Sequence, residues 1–198
     1  HLTAYARTQN DNVVVVAGGP AILALPRYSR RFFDYCCTGD IEQIREVIVD
    51  SLGPAYLAEE MFPRYDLAYW LGRVGEVESS RNCNFRCTFC TLTGNGRGYQ
   101  PYDLGYIRRK ILAGGRREFL LFIDNNFYGN DRNFFLARLE LLQELHRSGW
   151  VRGWSALVTN DFFLQDDNLR RARESGCVAL FSGVESFDVD WLRKMNKL

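Results

Sequence analysis

Four runs of strand length, the first alternating and the others mostly apolar, recur from position 74 onward, and each leads toward a segment of helical period. The runs are VGEVESS at 74–80, EFLLFID at 118–124, GWSALVTN at 153–160 and CVALFSGVES at 177–186. After the first, Asp103 can cap a helix that carries Leu104, Ile107 and Ile111 on one face and stops at Gly114-Gly115. A longer helix turns Phe135, Leu139, Leu142 and Leu145 inward and stops at Gly149. DDNLRRARESG at 166–176 reads as a third capped helix, and DVDWLRKMNKL begins a fourth. Strand and helix alternate at roughly 30–35 residues per unit, the rhythm of a parallel sheet with helical crossovers.

A second α/β piece precedes this block. NVVVVAGGP at 12–20 reads as a fully buried strand ending in a turn, and FFDYCCTGD at 32–40 as another. Ile44, Val47, Ile48 and Leu52 then recur at helical spacing until Gly53-Pro54. The sequence therefore divides into a partial α/β domain at 1–53, a linker without clear period at 54–72, and the strand–helix block at 73–198. Hydrophobic residues make up 46%, enough for a packed core. The 25 basic residues nearly balance the 24 acidic ones, so no pull toward nucleic acid or anionic membrane follows. No apolar run approaches the ~18 residues of a membrane span. With no leader pattern at the start, a cytoplasmic location is expected. Of the six cysteines, Cys36, Cys37 and Cys177 read as core residues.

The other three sit in RNCNFRCTFC at 81–90, just after the first strand of the block. Cys83, Cys87 and Cys90 are separated by three and then two residues. Structural zinc takes four ligands, commonly as two pairs, and here there is no second pair. His1 and His146 are remote in sequence. A [4Fe–4S] cubane normally takes four thiolates. Held by three, it keeps one iron free for N and O atoms of a substrate or cofactor, and gaps of this size let one loop wrap it.

CNFRCTFC resembles the Cys-x-x-x-Cys-x-x-Cys motif of the radical S-adenosylmethionine enzymes, with Phe89 at the motif's aromatic position near the cofactor adenine. LLFIDNNFYGN at 120–130, LRRARESGCVALFSGVES at 169–186 and LRKMNK at 192–197 resemble members that carry a cobalamin-binding domain. VVVVAGGP and DYCCTGDIEQ resemble the last strands of that domain, although Gly39, Asp40, Ile41 and Glu42 stand where Gly-Glu-Gly-Glu is common. No Asp-x-His-x-x-Gly cobalt-ligand motif is present in the sequence. The resemblance implies a partial (β/α) TIM-like barrel preceded by the C-terminal part of a Rossmann-like cobalamin-binding domain. With about four of six barrel units, and His1 as its first residue, the chain reads as an internal fragment.

The same resemblance implies a [4Fe–4S] cluster on Cys83, Cys87 and Cys90 as metal ligands, S-adenosylmethionine chelated to the open iron, and cobalamin on the upstream piece. Reductive cleavage would give a 5′-deoxyadenosyl radical or an equivalent cobalt-linked methyl transfer. The substrate would be a small, apolar or tetrapyrrole-like molecule, and the electron would come from a flavodoxin- or ferredoxin-like donor. No side chain is assigned as acid, base or nucleophile. Polar groups at strand exits are candidates for cofactor binding: Asp124 and Asn125, Asn160 with its neighbour Asp161, and Glu185 with Ser186. Gly18 and Gly19 could let backbone approach a corrin ring, or could simply make a turn. Asn130, Asp131, Asp166 and Asp167 read as helix caps. Arg81 and Arg86 flank the cysteine loop and could offset its charge or stay solvated. Two other readings keep fewer features: a cobalamin-independent enzyme of the same family, and a non-enzymatic iron–sulfur or zinc module.

Overall fold

The computed structural model describes residues 1–62, 64, 65, 67, 68, 72–94 and 96–197. They fall into two compact units, His1–Met61 and Phe62–Leu198. The segment expected as a linker, 54–72, lies partly outside the described residues; its start, Pro54–Tyr56, is a short 3-10 turn.

The first unit contains α1 (Leu2–Gln9), β1 (Val16–Ala17), α2 (Pro20–Ala24), α3 (Pro26–Ser29), β2 (Tyr35–Cys36) and α4 (Ile44–Leu52). β1 and β2 pair in parallel, with Val16 opposite Tyr35 and Ala17 opposite Cys36. Gly19 takes φ 91°, a conformation that suits glycine, and Pro20 with its fixed φ starts α2 directly after it. The run at 12–20 is not the fully buried strand expected. It pairs over two residues, and Val14 and Val16 are 42% and 36% exposed, because a two-stranded sheet has no further strand to cover it. Cys36 and Cys37 are likewise half-buried, not core.

The second unit runs β3 (Val74–Val77), β4 (Ser80–Arg81), α5 (Thr91–Gly94), β5 (Gln100–Pro101), α6 (Leu104–Ala113), β6 (Arg117–Phe122), α7 (Arg132–Arg147), β7 (Val151–Val158), α8 (Asn168–Glu174), β8 (Cys177–Ser182) and α9 (Val189–Lys194). Its main sheet has the order β3-β6-β7-β8, and every pair is parallel. Parallel pairing requires a crossover after each strand, so the segments leaving all four strands gather along one edge. β4 and β5 form a separate antiparallel pair, Ser80 opposite Pro101 and Arg81 opposite Gln100, which closes the base of the cysteine loop.

Helix faces follow the apolar spacing. Ile107 and Ile111 of α6 are buried, and the Asp103 carboxylate caps this helix by accepting from Tyr106 N–H. Phe135, Leu139, Leu142 and Leu145 of α7 are buried, and Asp131 caps it by accepting from Asn133 and Phe134 N–H. Between helices and sheet lies an aromatic cluster in which Trp154 packs on Phe122 and Phe127 at ring centroid distances of 5.8 and 5.0 Å. Phe135 and Phe162 extend it edge to face. Fully burying each such side chain stabilises the unit by about 1.5–3 kcal/mol. The other expected caps behave differently. Asp167 makes no cap bond, because its carboxylate is taken by Arg132 and Arg171. Asp166 is exposed, and Asn130 lines a polar hollow beside the cysteine loop. Cys177 is half-buried at the start of β8, which ends at Ser182, short of the expected position 186. No helix among the described residues is long and apolar enough to cross a membrane.

Candidate cofactor site

The cysteine loop leaves β3 at the edge where all the parallel strands end. Ser79 and Ser80, both fully buried, carry the chain out, and Asn82 turns it with a left-handed φ of 58°. Asparagine tolerates that region better than most residues. Its amide also donates to Gly98 O at 3.0 Å, tying the two ends of the loop. Cys87 is buried, and Cys83 and Cys90 are half-buried; all three are free thiols. Phe85 N–H donates to Cys83 Sγ at 3.4 Å, and Thr93 Oγ1 donates to Cys87 O at 2.9 Å.

Burial pushes the Cys83 thiol up, the Phe85 N–H works against it, and Cys87 and Cys90 add to the rise. Burial also raises Cys87, opposed most by the Lys197 ammonium. A cation bound at these thiols would reverse that balance and deprotonate them. Among the described residues, no three His, Cys, Asp or Glu side chains close on one point as a single metal ion requires. A cubane makes a different demand, since each thiolate takes a separate iron corner. Three free cysteines on one loop, one of them receiving a backbone N–H bond, fit such a group.

Behind the loop lies a buried ionic brace. Asp124 is fully buried, and its carboxylate accepts from Ser79 N–H at 3.0 Å, Ser79 Oγ at 2.7 Å and Ser80 Oγ at 2.5 Å. Arg138 of α7, 1% exposed, lies 3.6 Å from Asp124 Oδ1 and donates to Ser79 Oγ at 2.8 Å and to Phe127 O. Its guanidinium also stacks over Phe127 and Phe134 at 4.2 and 4.6 Å. Burial pulls the Arg138 pKa down, while Tyr99 and Asp124 act the other way. Asn126, also fully buried, donates to Asn84 Oδ1 at 2.7 Å. The Asn126 Oδ1 accepts from Tyr128 and Thr159 N–H. One amide thus joins the exits of β6 and β7 to the residue after Cys83.

The residues expected to bind cofactor divide accordingly. Asp124 sits behind the loop with its oxygens taken by protein donors, and Asn125 faces solvent. Asn160 accepts from Ser182 Oγ at 2.9 Å, linking the ends of β7 and β8. Asp161, which acts on the field at Cys83, accepts from Thr159 Oγ1. Ser186 Oγ accepts from Asp188 N–H and shapes the entry to α9. Glu185 is exposed, left-handed at φ 61°, and paired with Lys197 Nζ at 3.0 Å. Phe89 is 52% exposed, with Lys197 Nζ 5.6 Å from its ring centre. Cys83, Cys87, Phe89, Glu185 and Asp161 are thus grouped around one loop. Gly18 and Gly19 belong to the first unit, where they line a cavity of about 540 Å³ with Cys37, Gly39, Asp40 and Ile41 at the carboxyl ends of β1 and β2. Arg81 is half-buried, bonded to Glu78 and stacked 5.5 Å from the Tyr102 ring, while Arg86 is exposed.

Sequence reasoning did not single out Asn126, Arg138 or Lys197. For Arg138 a signal existed: it falls on the buried face of α7, between Phe135 and Leu142 at helical spacing. A lone cation on an apolar stripe needs a buried partner.

A parallel α/β sheet with a three-cysteine loop at its carboxyl edge defines a known class of protein. The radical SAM superfamily model matches residues 77–197, and the chain belongs to that superfamily. Bacteriochlorophyllide d C-12(1)-methyltransferase of Chlorobaculum tepidum is 27% identical over 127 residues, which are 61% of this chain and 26% of that protein. The structure of OxsB, a cobalamin-dependent S-adenosylmethionine radical enzyme, with aqua-cobalamin and S-adenosylmethionine bound has a similar fold. Its TM-score is 0.64 at 16% identity, covering 98% of this chain and 34% of OxsB. With aqua-cobalamin alone bound, the OxsB structure gives a TM-score of 0.68. The chain thus spans about a quarter of the methyltransferase and about a third of OxsB.

Proposed function

We propose that Cys83, Cys87 and Cys90 hold a [4Fe–4S] cluster, that the same edge binds S-adenosylmethionine, and that the reaction is methyl transfer or radical modification of an apolar or tetrapyrrole-like substrate with the help of cobalamin. The observation that carries this reading is the trio of free cysteines, one buried and two half-buried, on a loop braced to the strand exits. Such a cluster supplies the electron that cleaves the sulfonium C–S bond of S-adenosylmethionine. The chain's own residues hold and orient. Asn126 and the Asp124–Arg138 brace fix the loop; Phe89 offers a half-exposed aromatic face for the adenine; Asn125, Asn160, Glu185 and Ser186 offer polar groups for ribose and amino-acid atoms.

In this reading the four parallel strands are the first part of a β/α barrel, and the first unit is the C-terminal part of a Rossmann-like cobalamin domain. The cavity beside Gly18 and Gly19 supports the second assignment, since ligands of parallel α/β sheets gather at strand carboxyl ends. The methyltransferase relative supports methyl transfer and a tetrapyrrole-like substrate. A low-potential donor of the flavodoxin or ferredoxin kind, in the cytoplasm, completes the scheme.

The test is anaerobic reconstitution with iron and sulfide, then reduction and assay for 5′-deoxyadenosine and S-adenosylhomocysteine. Each of Cys83→Ala, Cys87→Ala and Cys90→Ala is expected to lower bound iron and abolish both products. Unchanged iron content in these variants overturns the assignment. Absorbance of bound cobalamin, lost when Gly18→Val fills the cavity mouth, tests the cobalamin part separately.

A further inference from the structure

Three non-glycine residues with positive φ occur among the described residues, and all three border the cysteine loop: Asn82, Glu185 and Asn196. Asn82 launches the loop; the other two frame a lysine. After α9 the chain folds back against the loop, where Thr88 N–H donates to Met195 O at 3.0 Å and Asn196 Nδ2 to Arg86 O at 2.9 Å. These two bonds fasten the residues on either side of Cys87 and hold Lys197 beside them. The lysine side chain is 9% exposed. Its ammonium bonds Glu185 Oε1 at 3.0 Å and approaches Phe89, and of the charges around Cys87 it acts most strongly. Gly183 makes room for the pair. A Cβ there would lie 2.8 Å from Glu185 Oε1 and 3.4 Å from Lys197 Nζ.

We propose that Lys197 tunes the reduction potential of the cluster, and that Glu185 moderates it by sharing the ammonium. This rests on the cluster assignment above. Reduction moves one electron from an external low-potential donor into the cluster. No covalent bond forms or breaks, and the thiolate-ligated group gains one negative charge. A nearby cation therefore favours the reduced form. Burial keeps solvent and salt from screening the effect. Lys197 is a positioning residue in this scheme: it acts through the cluster and its ligands.

An EPR-monitored redox titration with dithionite tests this on the whole chain, reconstituted anaerobically and kept free of S-adenosylmethionine. Lys197→Met is expected to lower the ratio of reduced to oxidised cluster about tenfold at any set potential, a downward midpoint shift of ~59 mV for a one-electron couple. Lys197→Arg keeps the charge and should titrate like wild type. Glu185→Gln frees the ammonium and should move the midpoint the opposite way. Coincident midpoints for wild type, Lys197→Met and Glu185→Gln in iron-loaded protein overturn the proposal. If Lys197→Met takes up no iron, Glu185→Gln decides, and a midpoint that does not rise overturns it. Iron and sulfide are measured first. A wild-type chain without them refutes the cluster assignment as well, whereas loaded protein with unmoved midpoints refutes only the role of Lys197.

Discussion

Replacing Arg138 with Met tests the brace behind the loop. Methionine keeps the length of the side chain and a soft contact with Phe127 and Phe134, so the change removes charge and hydrogen bonds more than volume. It leaves Asp124 buried without its cation. Breaking a buried pair costs about 3–5 kcal/mol. Here Ser79 N–H, Ser79 Oγ and Ser80 Oγ still donate to the carboxylate, so the lower figure of ~3 applies. Phe127 O loses its donor as well, which adds about 1 kcal/mol. The sum, ~4 kcal/mol, corresponds to a fall in Tm of about 8–16 °C for a chain of this size. Asp124→Asn alone should cost a similar amount, because it strands the guanidinium. The double variant should recover a large part, since neither charge remains. Urea unfolding of the four proteins measures the coupling. A single variant within ~1 kcal/mol of wild type, or a double variant whose loss is the sum of the singles, refutes the view of Asp124 and Arg138 as one charge-compensated unit.

The remaining predictions concern the loop and the start of α8. Asn126→Ala should cost about 1–3 kcal/mol and hasten loss of iron to a chelator, because Asn84 loses its tie to the strand exits; equal chelation rates count against that role. Arg171 and then Arg132 lower the Asp167 pKa from an ordinary 3.8 to about 2. Its folded-state value lies below its unfolded one, so its contribution is complete above pH 4 and disappears as pH falls through about 2. Asp167→Asn should therefore lessen the drop in stability between pH 4 and pH 2, measured by urea unfolding at each pH.

Much of the sheet was legible because its signals are local. The Asp103 and Asp131 caps, the inward faces of α6 and α7, and the β-branched and aromatic runs of β6 and β7 all lie within a turn or a strand. The three cysteines were legible for the same reason. The brace was not, because its partners come from distant places in the chain: Ser79 meets Arg138, Asn84 meets Asn126, and Arg86 meets Asn196. Asp124 shows the limit most clearly. As a carboxylate at a strand exit it read as a cofactor contact, yet long-range packing closed it off from solvent. The short β4–β5 pair escaped notice because two residues of strand carry no periodicity.

The left-handed corners around the loop are a standing cost of its shape. Each such corner costs about 1–3 kcal/mol, less where asparagine takes it and more at Glu185, which has no native liking for that shape. The packing around the loop must hold this strain in place, which ties the shape of the loop to the fold behind it. Glu185→Gly would relax that corner, but it would leave the Lys197 ammonium without the carboxylate that the corner presents to it.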